Sequence, residues 1–286
     1  MDSKLAGWGS GFLGILIFSG SLPATRVAVA DFPPLFLTSM RAVIAAMLGA
    51  LFLAVLRQRR PEGGQALSLV IVAGGVVIGF PLLTALALKH VTSAHATVFI
   101  GLLPLATALF GVLRGGERPK PAFWLFSVLG AATVAGFALT NSDGGLAGGD
   151  LLMLAAITVC GLGYAEGAVL SRSLGGWQVI SWALVLALPV MAALAAFTWP
   201  EGFAEISPSG WAGLGYVSVF SMLVGFIFWY RGLALGGIAG VGQLQLLQPF
   251  LSLLLAAFLL KEPVAWTMIA CTVFVVLSVA GAKRFA

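Results

Sequence analysis

Three polar side chains recur at helical spacing near the end of an otherwise apolar chain. Gln245, Gln248 and Ser252 fall at i, i+3 and i+7, on one face of an α-helix. Amides facing lipid would be costly, so this stripe is expected to face protein or water. Two uses are open to it: hydrogen bonding to a zwitterionic solute, or joining neighbouring helices. Pro249 supports the first, because a proline frees a backbone carbonyl that can line a cavity. Gln243 joins the same candidate group.

Pro104 is the upstream counterpart of Pro249, preceded by His95, Thr97 and Phe99. His90 and His95 share no helix face, so a metal pair is not expected. A hydrogen-bonded histidine is the preferred reading of His95, ahead of a substrate or proton-coupling role. Phe80 and Pro81, with Thr84 one turn on, make a candidate aromatic wall beside a kink, with ordinary packing competing at Phe80. Glu166 is the one acid well inside an apolar run, which makes it a coupling candidate; an ion pair with nearby Arg172 competes. Tyr164 and Ser19 are candidates for a shared cavity and are related by an offset met again below, 164 − 19 = 145. Cys160 and Cys271 lie in apolar runs without metal-ligand spacing, so buried free thiols are expected. No metal or cofactor is expected.

The elements that must position these residues follow from composition. Sixty per cent of the chain is hydrophobic and nine per cent charged, too few charges to cover a water-soluble surface. The apolar runs have the length a helix needs to cross a bilayer core of ~30 Å. Ten spans are expected: Trp8–Ala30, Leu35–Leu56, Ala66–Leu88, Ala94–Leu113, Ala122–Leu139, Asp150–Ser171, Trp177–Trp199, Trp211–Gly232, Ala239–Leu260 and Val264–Ala282. Asp150 is placed to cap the sixth. The first run lacks an obvious cleavage site and is expected to be retained. Trp8, Trp177, Trp199, Trp211 and Trp229 lie near span ends and read as interface anchors. Glycine pairs four residues apart (Gly7/Gly11, Gly75/Gly79, Gly163/Gly167, Gly236/Gly240) permit close helix contacts.

Charge orients the spans. With the N-terminus in the cytoplasm, eleven of the fifteen Lys and Arg residues fall inside and only Arg26, Lys89 and Lys261 outside, with Arg41 left in the membrane. Both termini are therefore expected in the cytoplasm of a bacterial-type inner membrane. The basic balance serves orientation and needs no nucleic-acid partner.

The chain also repeats itself at one offset: 249 − 104 = 145 for the prolines and 262 − 117 = 145 for Glu117 and Glu262. Leu88 and Leu233, Leu102 and Leu247, and Ala135-Gly136 and Ala280-Gly281 match along it. The halves are 1–143 and 144–286. Five crossings per half is an odd number, so the second half enters from the opposite face. The expected fold is an all-α integral membrane protein of ten transmembrane helices, two inverted five-helix repeats around a central substrate cavity.

At these residues the sequence resembles the EamA-type ten-helix exporters of the drug/metabolite transporter superfamily. The resemblance rests on Phe18-Ser-Gly-Ser21 with Arg26, Pro34 and Arg41, Pro104 to Glu117, Gly149-Asp150, and Pro249 to Glu262. Within that family it looks most like the aromatic amino-acid exporters. The resemblance implies a cavity between helices one, three, four, six, eight and nine. It implies export of amino acids or related small metabolites by alternating access. Phe18 stands where many relatives carry Trp, so a tryptophan-lined site is not implied. Arg41 lacks an acid partner at its depth and could contact backbone carbonyls or a substrate carboxylate; the resemblance implies a bracing role, which is preferred.

Other classes compete. A permease for drugs, cations or other metabolites shares the fold, and a channel is distinguished only by the absence of counterflow. An intramembrane enzyme is least expected, since the chain has no Gly-x-Ser-x-Gly and no His-Glu-x-x-His motif. No nucleotide-binding motif suggests an ATP-driven pump. The expected partners are the lipid bilayer and a small-molecule substrate. Two fused halves can form a pathway in one chain, so a monomer is compatible with this reading.

Overall fold

A computed structural model describes residues 3–115, 120–140, 148–236 and 243–285. Among the described residues every regular element is helical. Ten apolar segments follow one another in the expected order. Seven contain helix long and apolar enough to cross a membrane, and the fifth, ninth and tenth contribute shorter apolar helices.

The first segment is α1 (Ser3–Ser19) and α2 (Ser21–Asp31). The expected single helix is interrupted at Gly20, because Pro23 has no N–H to offer the Ser19 carbonyl four residues back. The second is α3 (Pro34–Val55), with proline at its first position, where a missing N–H costs nothing. The third is α4 (Ala66–Val72), a π-helical stretch Ala73–Gly79, and α5 (Phe80–Ala87). The fourth is α6 (Ser93–Ile100) and α7 (Leu103–Gly115). The fifth is α8 (Pro121–Thr140), the sixth α9 (Gly148–Leu174) and the seventh α10 (Gly176–Phe197). The eighth is α11 (Pro208–Gly215), a π-helical stretch Tyr216–Val224, and α12 (Gly225–Gly236). The ninth is a 3-10 stretch Gln243–Leu247 leading into α13 (Gln248–Leu259), and the tenth is α14 (Trp266–Arg284).

The third and ninth segments depart from regular helix next to Pro81 and Pro249, and the eighth does so without a proline. In the third, a π turn directly precedes Pro81, whose ring cannot sit against a regular i→i−4 ladder. The wide stretches obey the internal repeat: 73 + 145 = 218 and 79 + 145 = 224, both inside Tyr216–Val224. Helix also resumes at matching positions in the fourth and ninth segments, since 248 − 103 = 145. The interruptions belong to the repeated unit, not to one helix.

Packing follows the same exchange. The first segment packs on the eighth as the sixth packs on the third, and the first meets the ninth as the sixth meets the fourth. The second and seventh, fourth and ninth, and fifth and tenth pair with one another. Glycines allow close approaches in both of these contacts. A Cβ on Gly232 would lie 2.6 Å from the Gly11 nitrogen, and one on Gly75 would lie 2.4 Å from the Val159 carbonyl oxygen and 3.2 Å from the Gly163 backbone.

Two further expectations change. Asp150 is not the cap residue of α9, which begins at Gly148; it lies in the first turn and is fully buried. Trp229 is no interface anchor: it is 3% exposed, because Gly14 lets its backbone approach α1 and its ring packs edge-on to Phe18 at 6.5 Å. Trp8, Trp199 and Trp211 are exposed, as anchors require.

Candidate functional site

Where the first, third, fourth, sixth, eighth and ninth segments converge, joined by the second through Arg41, a cavity of about 30 Å³ remains. That is room for a water or two. Phe18, Phe80, Phe226 and Tyr164 give it aromatic walls, and Gln248, Ser21, Ser221 and Arg41 its polar ones; Cys160 and Pro81 also line it. Phe226 stands edge-on to Phe18 with ring centroids 4.9 Å apart and to Tyr164 at 5.9 Å. Apolar and aromatic walls with a few convergent polar groups are the usual make-up of a small-molecule site.

The wall itself carries the repeat. Val76 and Ser221, Pro81 and Phe226, and Leu103 and Gln248 all line the cavity, and each pair is separated by 145 (221 − 76, 226 − 81, 248 − 103). The cavity therefore straddles the junction of the two halves. Val76, Ser221 and Met222 come from the π-helical stretches, whose extra residue per turn displaces side chains from the regular helical faces.

Of the residues singled out in the sequence, Phe80, Pro81, Tyr164 and Gln248 meet in this cavity. Gln245 is 5% exposed, and its amide nitrogen is buried without a hydrogen-bond partner. Pro249 follows Gln248 at the start of α13 and is buried. Ser252 completes the stripe but joins helices: its hydroxyl donates to the Ser19 carbonyl at 3.0 Å. Ser19 is fully buried and its own hydroxyl donates to Ile15 O at 2.7 Å. Thr84 and Thr97 are buried and donate within their own helices, to Phe80 O at 2.7 Å and Ser93 O at 2.8 Å. Phe99 is fully buried in the apolar core. The side chains of Pro104 and Gln243, like Glu117 and Arg172, lie outside the described residues. Cys160 and Cys271 are free thiols, Cys160 buried and Cys271 half-buried.

The coupling candidates separate. His95 Nε2 lies 2.6 Å from Asp150 Oδ1, bridging the fourth and sixth segments, with the ring against Phe137 at 4.9 Å. The second oxygen of Asp150 is buried without a partner. Glu166 accepts from the Ser68 hydroxyl at 2.6 Å and does not line the cavity. No cluster of metal-ligating side chains occurs among the described residues.

At one end of the bundle a carboxylate gathers several segments. Glu262 accepts from Ser93 N at 3.2 Å, Ser93 Oγ at 2.7 Å and Ala94 N at 2.9 Å. A carboxylate is well placed there, at the N-terminus of α6. Arg26 Nε lies 3.9 Å from the same carboxylate, and its Nη1 donates to Leu88 O. One cluster thus joins the first, third, fourth and ninth segments.

The sequence reading singled out Arg41 but preferred a bracing role, whereas its side chain lines the cavity; Ser21 and Ser221 were missed as lining residues. For Arg41 the signal was present, since a membrane-depth arginine with no acid at its level is a functional candidate in its own right. The serines carried no such signal, since their place on the cavity depends on a π turn and on the break at Gly20.

Ten apolar helical segments, halves related by one sequence offset and a cavity at their junction define a membrane transport protein of the inverted-repeat class. The model of the EamA-like transporter family matches residues 6–139 and again 147–283, and the chain belongs to that family. It is 63% identical over 286 residues, all of both chains, to YdeK of Bacillus subtilis (strain 168), described as an uncharacterized transporter. It is 25% identical to YedA of Escherichia coli (strain K12), described as an uncharacterized inner membrane transporter, over 76% of this chain and 71% of that one. A solved crystal structure with 21% sequence identity superposes with a TM-score of 0.67 over 98% of this chain and 99% of the other, and shares the fold.

Proposed function

We propose that this transporter is a secondary carrier that exports amino acids, aromatic and other neutral ones, or related small metabolites by alternating access. The observation that carries the reading is the cavity wall, where Val76/Ser221, Pro81/Phe226 and Leu103/Gln248 stand as repeat mates. A site on the axis between two inverted halves opens to one face when the halves adopt one pair of conformations and to the other when they exchange them. At about 30 Å³ the cavity is too small for any amino acid, so the structure is read as a closed state in which transport requires the segments to part. The aromatic walls favour an apolar side chain, and Gln248 offers both a donor and an acceptor.

The basic residues at the Arg57–Arg60 end support a cytoplasmic position for that end. Glu262 and Arg26 then tie the outer mouth. His95 and Asp150 are the pair best suited to proton coupling, because Asp150 is buried, the two are in contact and they come from different halves.

Liposomes reconstituted with the purified protein and loaded with unlabelled amino acid provide the test. Saturable uptake of labelled amino acid, stimulated from the trans side, is expected. Flux that neither saturates nor responds to internal solute would make the protein a channel. No flux of any amino acid would remove the substrate assignment.

A further inference from the structure

Arg41 lies seven residues past Pro34, the first residue of α3, which puts it about 10 Å along that span at ~1.5 Å per residue. Its side chain is 5% exposed. A guanidinium keeps its charge at neutral pH, and a buried charge is costly unless an opposite charge and hydrogen bonds compensate it. Arg41 takes part in neither the Arg26–Glu262 nor the His95–Asp150 pair. Its hydrogen bond runs from Nη2 to Ser221 Oγ at 3.2 Å, and Ser221 Oγ is hydrogen-bonded to Ser21 Oγ at 2.7 Å, with either hydroxyl able to donate. The Nε–H of Arg41 is buried and has no acceptor among the described residues. All three side chains line the central cavity, and none of the described residues lining it is Asp or Glu.

We propose that Arg41, with Ser21 and Ser221, binds the carboxylate of the transported solute. The guanidinium fork matches a carboxylate geometrically, and the arriving anion supplies a counter-charge to Arg41. Ser221 then turns its hydroxyl from Ser21 toward the carboxylate, and Nε gains an acceptor. Solutes must therefore carry a carboxylate, and an amine without one is rejected because it meets a fixed positive charge with no compensating acid. The assignment rests on the cavity being the substrate site, as proposed above.

The test compares phenylalanine and 3-phenylpropionate, which carry a carboxylate, with phenethylamine and phenylalaninamide, which do not. Each is measured for thermal stabilisation of the purified wild-type protein and for saturable uptake into liposomes. The carboxylates are expected to half-saturate at concentrations at least about ten-fold lower, the scale of one charge-assisted hydrogen bond. In Arg41→Gln that ratio is expected to fall to about one. A purely bracing arginine would lower thermal stability while leaving the ratio unchanged. If the amine and amide bind and move as well as the acids in wild type, the carboxylate site is overturned and the carrier reading stands. If none of the four binds or moves, both fall. Should Arg41→Gln fail to fold, the wild-type ratio decides alone.

Discussion

The Ser252 hydroxyl donates to the Ser19 carbonyl across 3.0 Å, and that carbonyl belongs to the residue four before Pro23. In a regular helix residue 23 would donate to it; proline cannot. A hydroxyl from the ninth segment thus satisfies a backbone acceptor at the break in the first. Tyr216 acts alongside, its hydroxyl donating to Ile17 O at 2.8 Å. Gly20 permits that approach: a Cβ there would fall 2.4 Å from the Tyr216 oxygen.

Ser252→Ala is therefore expected to lower stability by about 0.5–1.5 kcal/mol, read as a reduced melting temperature in detergent. The cost should shrink in a Pro23→Ala background, where residue 23 regains its N–H. Equal costs in both backgrounds would show that the hydroxyl does not serve this carbonyl.

Glu262 holds Arg26 and the N-terminus of α6 together at one mouth of the bundle. Its replacement by alanine should favour opening on that side. Cys160, which lines the cavity, is a native reporter once Cys271 is changed to serine. Labelling of Cys160 by a membrane-impermeant thiol reagent from the outer face should rise several-fold in Glu262→Ala. Unchanged labelling would mean that closure of this mouth does not depend on the carboxylate.

The third and sixth segments touch through glycine. Gly75→Ala places a methyl carbon 2.4 Å from Val159 O, and the forced separation should cost about 1–3 kcal/mol and reduce transport. Gly74→Ala is the control, because its Cβ would meet nothing within 4 Å; it should be neutral or slightly stabilising, as alanine restricts the unfolded chain. Both are read by melting temperature and initial rate.

The His95–Asp150 contact predicts a split in energetics. His95→Gln should retain amino-acid counterflow in the absence of a gradient. It should lose accumulation driven by an imposed pH gradient. Loss of both would make the pair structural, and retention of both would remove it from coupling.

The solvent and the order of elements were legible in the sequence by itself. Sixty per cent hydrophobic residues with nine per cent charge demand a bilayer, and segment length sets the crossings. The 145-residue offset announced two copies of one unit, because a repeat needs only one sequence to be seen. Buried amides such as Gln248 were legible too, since lipid excludes them whatever the fold. The tertiary structure alone decided where the helices depart from regularity and which polar groups meet. Tyr164 and Thr84 look alike as candidates on a helical wheel. Only the neighbouring segments determine that Tyr164 reaches the cavity while Thr84 turns back to its own carbonyls. The π stretches rotate Ser221 onto the cavity wall, and the break at Gly20 allows Ser21 to reach it. Contacts among Arg41, Ser21 and Ser221 span up to 200 residues of sequence. No local pattern encodes such a meeting, because it arises from helices that are brought together only by packing.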